Sequence, residues 1–325
     1  VLPVRLRDFI EDRDGWLYAV AAYDNTDRIG CILRYIPDPH GERVNRSGAR
    51  YQKLDFEPAF QLITEKKPTY LDIIHRVPPA DVKQVLKPEL ELPAIASRDK
   101  RVQKLMEIFG VPASSMGCTG SLLCGLEIES SDIDFIVYGR DWFVARERLI
   151  QAIRGGRLEP MSEDLWETVY RKRRPEISLD DFILHEKRKW NRGQIGGTYF
   201  DLLYSRGYDE IGSNPSVKGE VLGSMTIEAV VTDATYAYDN PAVYRVSHQK
   251  ISCVLSFTHT YSGQAICGEM IEARGICERH GDEYWLIVGT TREARGEYIR
   301  SVTLLEQDRM ASQSRLQETW PFHTS

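Results

Sequence analysis

No Cys-x-x-Cys pair occurs in this 325-residue chain, and no histidine stands at zinc-finger spacing from the cysteines, so neither a structural zinc site nor a paired-thiol redox motif is expected. The cysteines, Cys31, Cys118, Cys124, Cys253, Cys267 and Cys277, are scattered and are expected as free thiols in a reducing cytoplasm. No run approaches the ~18 apolar residues that a membrane span needs, and none opens the chain, so neither membrane insertion nor secretion is expected. An excess of positive charge is lacking too. With 42 Lys and Arg against 48 Asp and Glu the formal charge is −6, which excludes a generally basic nucleic-acid coat and makes any polyanion contact local.

What is present suits a globular protein of two or three domains, with 42% hydrophobic residues and enough length for a sizeable core. From Arg5 to Tyr35 the runs Trp16 to Val20 and Cys31 to Tyr35, divided by Asp14-Gly15 and Asn25-Thr26-Asp27, predict a β meander. A short helix is expected from Glu57 to Lys66, and Lys87-Pro88 and Leu92-Pro93 mark a boundary. Then Val102, Leu105, Met106 and Phe109 repeat at helical spacing until Gly110 and Pro112 stop the run. Gly117-Cys118-Thr119-Gly120-Ser121 forms a turn into a short helix, and Asp132 to Tyr138 reads as a strand. Helices are expected over Trp142 to Ile153 and from a Ser178 cap to Trp190, followed by a strand over Thr198 to Tyr204. Beyond Gly223 the β-rich runs Met225 to Val231, Ile251 to Phe257, Gln264 to Cys277 and Tyr284 to Val288, with a hairpin turn at Arg279 to Asp282, predict a small barrel or sandwich.

The chemistry concentrates at Asp132-Ile133-Asp134. Residues i and i+2 of a strand share a face, so the two carboxylates project together while Ile133, Phe135 and Val137 face the other way. Such a pair repels itself unless a hard divalent cation turns it into an oxygen ligand set; the alternative is a solvated strand end. Gly120 permits close backbone approach, and Ser121 opens a helix whose free N–H groups suit a phosphate. Asp201 sits in the otherwise apolar strand Tyr199-Phe200-Asp201-Leu202-Leu203, where a buried carboxylate requires a cation nearby; the alternative is a pair with Arg206. Between Arg171 and Arg192, eight basic residues oppose four acids in an otherwise acidic chain, and Lys187 and Arg192 are the candidate phosphate ligands there. His75, His185 and His259 are isolated and expected to be structural. Tyr236, Tyr238, Tyr244, Phe257 and Tyr261 are expected in the core rather than as base-stacking platforms.

Gly120-Ser121, Asp132-x-Asp134 and Asp201 resemble the signature of the DNA polymerase β-type nucleotidyltransferase superfamily, over about Ala96 to Arg206. Within it, Gly117 to Ser121 and Ser131 to Gly139 resemble archaeal predicted nucleotidyltransferases of unassigned substrate. The resemblance implies that Asp132 and Asp134 hold two metals (Mg2+ or Mn2+), that Asp201 holds the catalytic one and activates the attacking hydroxyl, and that Gly120 and Ser121 contact the phosphates of an NTP. The expected fold is α+β, a central polymerase β-like nucleotidyltransferase domain flanked by an N-terminal β-rich and a C-terminal β barrel-like module. The expected bounds are 1–92, 93–215 and 216–305, with a polar tail over 306–325. The acceptor is expected to be RNA before protein or a small molecule. The rival readings are a catalytically silent nucleotide- or RNA-binding module and a metal-dependent nucleotide-sugar transferase.

Overall fold

A computed structural model describes residues 3–213, 219–290 and 295–318; the boundary expected between 215 and 216, and residues 319–325 of the expected tail, lie outside them. The chain divides into two units, Val1–Met161 with Asn191–Ser216, and Ser162–Trp190 with Val217–Ser325.

In the first unit, the expected meander forms β1 (Phe9–Asp12), β2 (Leu17–Val20) and β3 (Ile29–Pro37), paired antiparallel in sequence. With β4 (Arg43–Val44), β5 (Arg50–Lys53), β6 (His75–Val77) and β7 (Val82–Leu86) they make a seven-stranded sheet ordered β4-β5-β3-β2-β1-β7, with β6 on β3. The helix α1 (Phe56–Lys66) contributes Ala59 and Ile63 to a core with Ile10, Tyr18 and Leu33. The imidazole of His75 lies in this core, where Nδ1 accepts the Leu33 backbone N–H at 3.0 Å.

The expected boundary residues Leu92-Pro93 lie within a helix. The helix α2 (Pro88–Ala96) runs through Pro93, because Leu92 and Ile95 are both buried and hold its turns against the protein. The next helix, α3 (Lys100–Phe109), ends where its sequence predicts. Asp99 caps its start by accepting the Arg101 N–H at 2.9 Å, and Gly110, at φ 58°, ends it in the left-handed region. A second sheet follows, ordered β10-β11-β9-β8, from β8 (Met116–Cys118), β9 (Ile133–Tyr138), β10 (Arg192–Ile195) and β11 (Thr198–Ser205). The short α4 (Gly120–Cys124) and the longer α5 (Asp141–Arg154) connect within it. Phe109 of α3 meets Phe135 at 5.0 Å and Phe200 at 6.5 Å between ring centroids, and Trp142 of α5 meets Tyr204 at 6.0 Å. One face of β9 and β11 is thereby an aromatic core, worth roughly 2–3 kcal/mol per fully buried large side chain.

The second unit contains α6 (Glu163–Arg173), α7 (Leu179–Lys189) and α8 (Val302–Glu318). As expected, Ser178 caps α7, its hydroxyl accepting the Asp181 N–H at 3.1 Å. The strands are β12 (Glu220–Asp233), β13 (Ala242–Ser247), β14 (Cys253–Ser256), β15 (Met270–His280), β16 (Glu283–Val288) and β17 (Tyr298–Ser301). The barrel expected here is corrected. These strands form a six-stranded sheet ordered β12-β13-β14-β16-β15-β17, in which β12 also pairs with β15. The outer strand β17 hydrogen-bonds β15, and β13 covers β12 only at Val230 to Asp233, so this is not a closed barrel of evenly matched strands. What apolar alternation does not encode is where pairing stops: β12 meets β13 only over its last residues, and its register shifts at Val221/Gly223 and Val231/Asp233. Tyr244 and Tyr261 are buried as expected, whereas Phe257 is 49% exposed.

All six cysteines are free, and no helix among the described residues is long and apolar enough to cross a membrane. Burial pushes the His75 imidazole down to about 4 and that of His185 down to about 3. A histidine whose folded value lies below its unfolded ~6.5 contributes stability above that pH and loses it as pH falls, by about 1.4 kcal/mol per unit. The thermal midpoint should therefore decline as pH drops from about 6.5 towards 4, and His75→Gln should flatten part of that slope, as read from melting curves across the range.

Candidate functional site

The parallel pairing of β9 with β11 sets Asp134 directly opposite Asp201, between the Ile133/Phe200 and Phe135/Leu202 pairs. Adjacent strands lie about 4.8 Å apart and registered residues share a face, so both carboxylates project from the side opposite the aromatic core. Across β11, the antiparallel partner of Asp201 is Arg192. The Arg192 Nε donates to Asp201 Oδ1 at 2.6 Å, with side-chain exposures of only 3% and 13%. Burial works against the Arg192 charge, but Tyr199 and Asp201 more than offset it, and the guanidinium is held above its ordinary value.

The Gly120 turn closes the other side of Asp134. Gly120 has φ +67°, and a Cβ built there would stand 2.5 Å from Asp134 Oδ2. Thr119 caps α4 and donates its backbone N–H to Asp134 O at 3.0 Å, while its hydroxyl donates to Arg7 O at 2.7 Å. Glycine is required twice over, for the left-handed backbone and for the room that the carboxylate occupies. Asp134 also acts on its surroundings: burial first, and then its charge, raise the thiol of Cys118. Burial, Cys124 and Asp134 together raise the phenol of Tyr35 on β3.

The site residues expected from sequence are thus unequally gathered. Asp134, Asp201, Arg192 and Gly120 adjoin one another, and Ser121 follows on α4. Asp132 is exposed and lies just ahead of β9 rather than on it. The alternative of an Arg206 pair for Asp201 gives way to another arginine: Arg206 is fully buried and donates to Glu210 O, and the cross-strand Arg192 takes the carboxylate. Lys187 belongs to the second unit, where it pairs with Glu163 at 2.7 Å in a half-exposed surface bridge. His75 and His185 have structural roles, the latter accepting the Ser301 N–H at 2.9 Å. Among the described residues no group of three or more His, Cys, Asp or Glu side chains is arranged to hold a metal ion.

Sequence reasoning missed Arg43. This 8% exposed residue of β4 donates to Leu126 O at 3.2 Å and to Ser131 Oγ at 3.3 Å, tying down the loop that delivers Asp132. A separation of more than 80 residues leaves no local signal by which to find it. Nearby, a cavity of about 350 Å³ borders Leu122, Leu123 and Cys124, with Leu17 and Arg98 among its walls. None of the three aspartates lines it.

Two aspartates thus share one face beside a glycine turn, with Asp201 engaged by Arg192. The class defined by fold and site is an α+β protein with a paired-carboxylate face on a small mixed sheet. More particularly, the chain is 38% identical to the uncharacterized protein MJ1086 of Methanocaldococcus jannaschii, across 92% of this chain and 99% of that protein, and it belongs to the same family. No family profile matches the chain, and no solved structure matches it.

Gly120→Ala should force Asp134 to move. Left-handed backbone at a non-glycine residue costs about 1–2 kcal/mol, so denaturant titration should show a loss of that order. A variant as stable as the parent would mean that the turn tolerates a side chain.

Proposed function

We propose that this chain is a metal-dependent nucleotidyltransferase of the DNA polymerase β-type superfamily, acting in the cytoplasm, that transfers a nucleoside monophosphate from an NTP to an acceptor hydroxyl, RNA before protein or small molecule, and releases pyrophosphate. The observation that carries the reading is the Asp134–Asp201 register beside Gly120. It gives two carboxylates on one face and, against them, a glycine whose missing Cβ leaves room for the Asp134 carboxylate.

The roles follow from position. Asp134 and Asp201, with Asp132 from the preceding loop, would hold Mg2+ or Mn2+. When bound, such a cation supplies Lewis-acid polarisation of the phosphate and neutralises the departing pyrophosphate. Gly120 and Ser121 offer backbone N–H groups to the phosphates. Asp201 accepts the proton of the attacking hydroxyl, and the Arg192 contact holds that carboxylate in one orientation while it does so. Arg43 steadies the Asp132 loop. Orientation of this kind accounts for much of the acceleration in phosphoryl transfer, where little covalent work falls to the protein.

A second reading has an observation in its favour. With Asp201 already neutralised by Arg192, the chain could bind a nucleotide or RNA without turnover. Incubation with each α-labelled NTP, Mg2+ and a total-RNA or protein extract separates the two. The transferase reading expects label in one acceptor pool and Mg2+-dependent pyrophosphate release, both lost in Asp134→Asn and Asp201→Asn with melting temperature retained. No release with any NTP, and RNA binding indifferent to either substitution, would leave the silent binding module.

A further inference from the structure

The cavity of about 350 Å³ at the end of α4 lies wholly within the first unit, apart from the three aspartates. Small-molecule sites run from roughly 300 to 1,000 Å³, so it has room for one compact ligand. Leu17, Leu86, Ile95, Leu122 and Leu123 give it an apolar wall, which calls for a body with apolar faces. Beside that wall stand polar groups with hydrogen-bonding capacity unspent among the described residues. Asn45 turns its oxygen to the Ser47 and Ala49 N–H groups, which leaves Nδ2 without a partner. Gln84 donates to Glu11 Oε2 at 2.7 Å, which leaves its own oxygen, and the half-buried Tyr51 hydroxyl has no partner. A ligand here must therefore offer both donors and acceptors from an apolar-faced body. Fatty chains and plain aromatic acids do not, whereas a nucleobase does, with a π-face for the wall and an edge that mixes donors with acceptors.

Charge settles what the base carries. Of the cationic residues lining the cavity, Arg98 is spent on the Ala94 and Leu122 carbonyls and on Glu127, while Arg46, exposed on the turn between β4 and β5, pairs with no acid among the described residues. Of the acids, Glu11 is held by Lys83, and the exposed Glu91 is unpaired in the same sense. One open guanidinium beside one open carboxylate suits a single phosphate and opposes a triphosphate. We propose that this cavity is a binding site for a nucleoside monophosphate, separate from the carboxylate face. The base lies on the leucine wall with its edge at Asn45, Tyr51 and Gln84, and the phosphate meets Arg46. The site calls for no metal, and it stands independently of the transferase reading.

The test is calorimetric titration of the full chain with AMP, GMP, CMP and UMP, their nucleosides, ATP and inorganic phosphate, all with a chelator present so that no metal-dependent site contributes. At least one monophosphate should bind, more tightly than its nucleoside, than ATP and than phosphate alone. Arg46→Ala should weaken that monophosphate roughly five- to tenfold and its nucleoside hardly at all. Tyr51→Phe should weaken both alike, and Glu91→Gln should tighten the monophosphate and, by a larger factor, ATP. These side chains are exposed or changed by one hydroxyl, so melting temperatures should stay near the parent's, and a variant that fails to fold leaves the other two to decide. Asp134→Asn should leave the binding as it is. No binding of any monophosphate at millimolar concentration overturns the site, and so does phosphate or ATP binding as tightly as the monophosphate. Binding that ignores Arg46→Ala and Tyr51→Phe but disappears in Asp134→Asn puts the nucleotide at the carboxylate face, which removes the cavity site and leaves the transferase reading standing.

Discussion

The register of β9 against β11 is the constraint on which the site depends. A slip of one residue would carry Asp201 to the aromatic face and bring Phe200 or Leu202 round to meet Asp134. What prevents it lies on the other side of the sheet. Phe109 packs on both Phe135 and Phe200, and Trp142 on Tyr204, so moving one strand would break two aromatic contacts and bury an acid among rings. The apolar residues of the two strands and the helices α3 and α5 thus position the polar ones without touching them.

This division explains what was legible in the sequence. Ile133, Phe135 and Val137 alternate with Asp134, and a period of two is visible in one strand alone. Gly110 ends α3 through an interaction within a turn of the chain. Asp201 is legible as an acid among apolar neighbours. By contrast, its partner depended on a hairpin: Arg206 is the nearer basic residue in sequence, but the turn at Gly196-Gly197 folds β10 back so that Arg192 meets it. Asp132 shares the alternation of β9 yet stands before its first bonded residue, a distinction made by hydrogen bonding and not by pattern. Arg43 and the openness of the C-terminal sheet are further cases, since long-range pairing and stagger have no short-range sequence signature.

Likeness to the Methanocaldococcus jannaschii protein extends over nearly the whole of both chains. The matched stretch therefore runs beyond the central carboxylate strands into the flanking β-rich regions. Within the first unit there is a physical reason for this. Arg7 and Thr119 join the N-terminal sheet to the Gly120 turn, and Arg43 joins it to the Asp132 loop. A carboxylate site needs its ligands held to within fractions of an ångström, and here the seven-stranded sheet supplies part of that restraint.

The Arg192–Asp201 pair is the feature that stability alone explains least. Burying a guanidinium and a carboxylate together forfeits the hydration of both, and apolar residues of similar volume are often as stable or more so in such a place. The neighbouring positions show that the local structure accommodates this, since Phe200 and Leu202 on the same strand are buried without any polar partner. The pair also sits beside Asp134, on the face of the sheet opposite the aromatic core, and Gly120 leaves the Asp134 carboxylate room that any larger residue would take. An ion pair that adds little stability, placed in register with a second carboxylate, is explained by the carboxylate face it belongs to more than by the fold it supports.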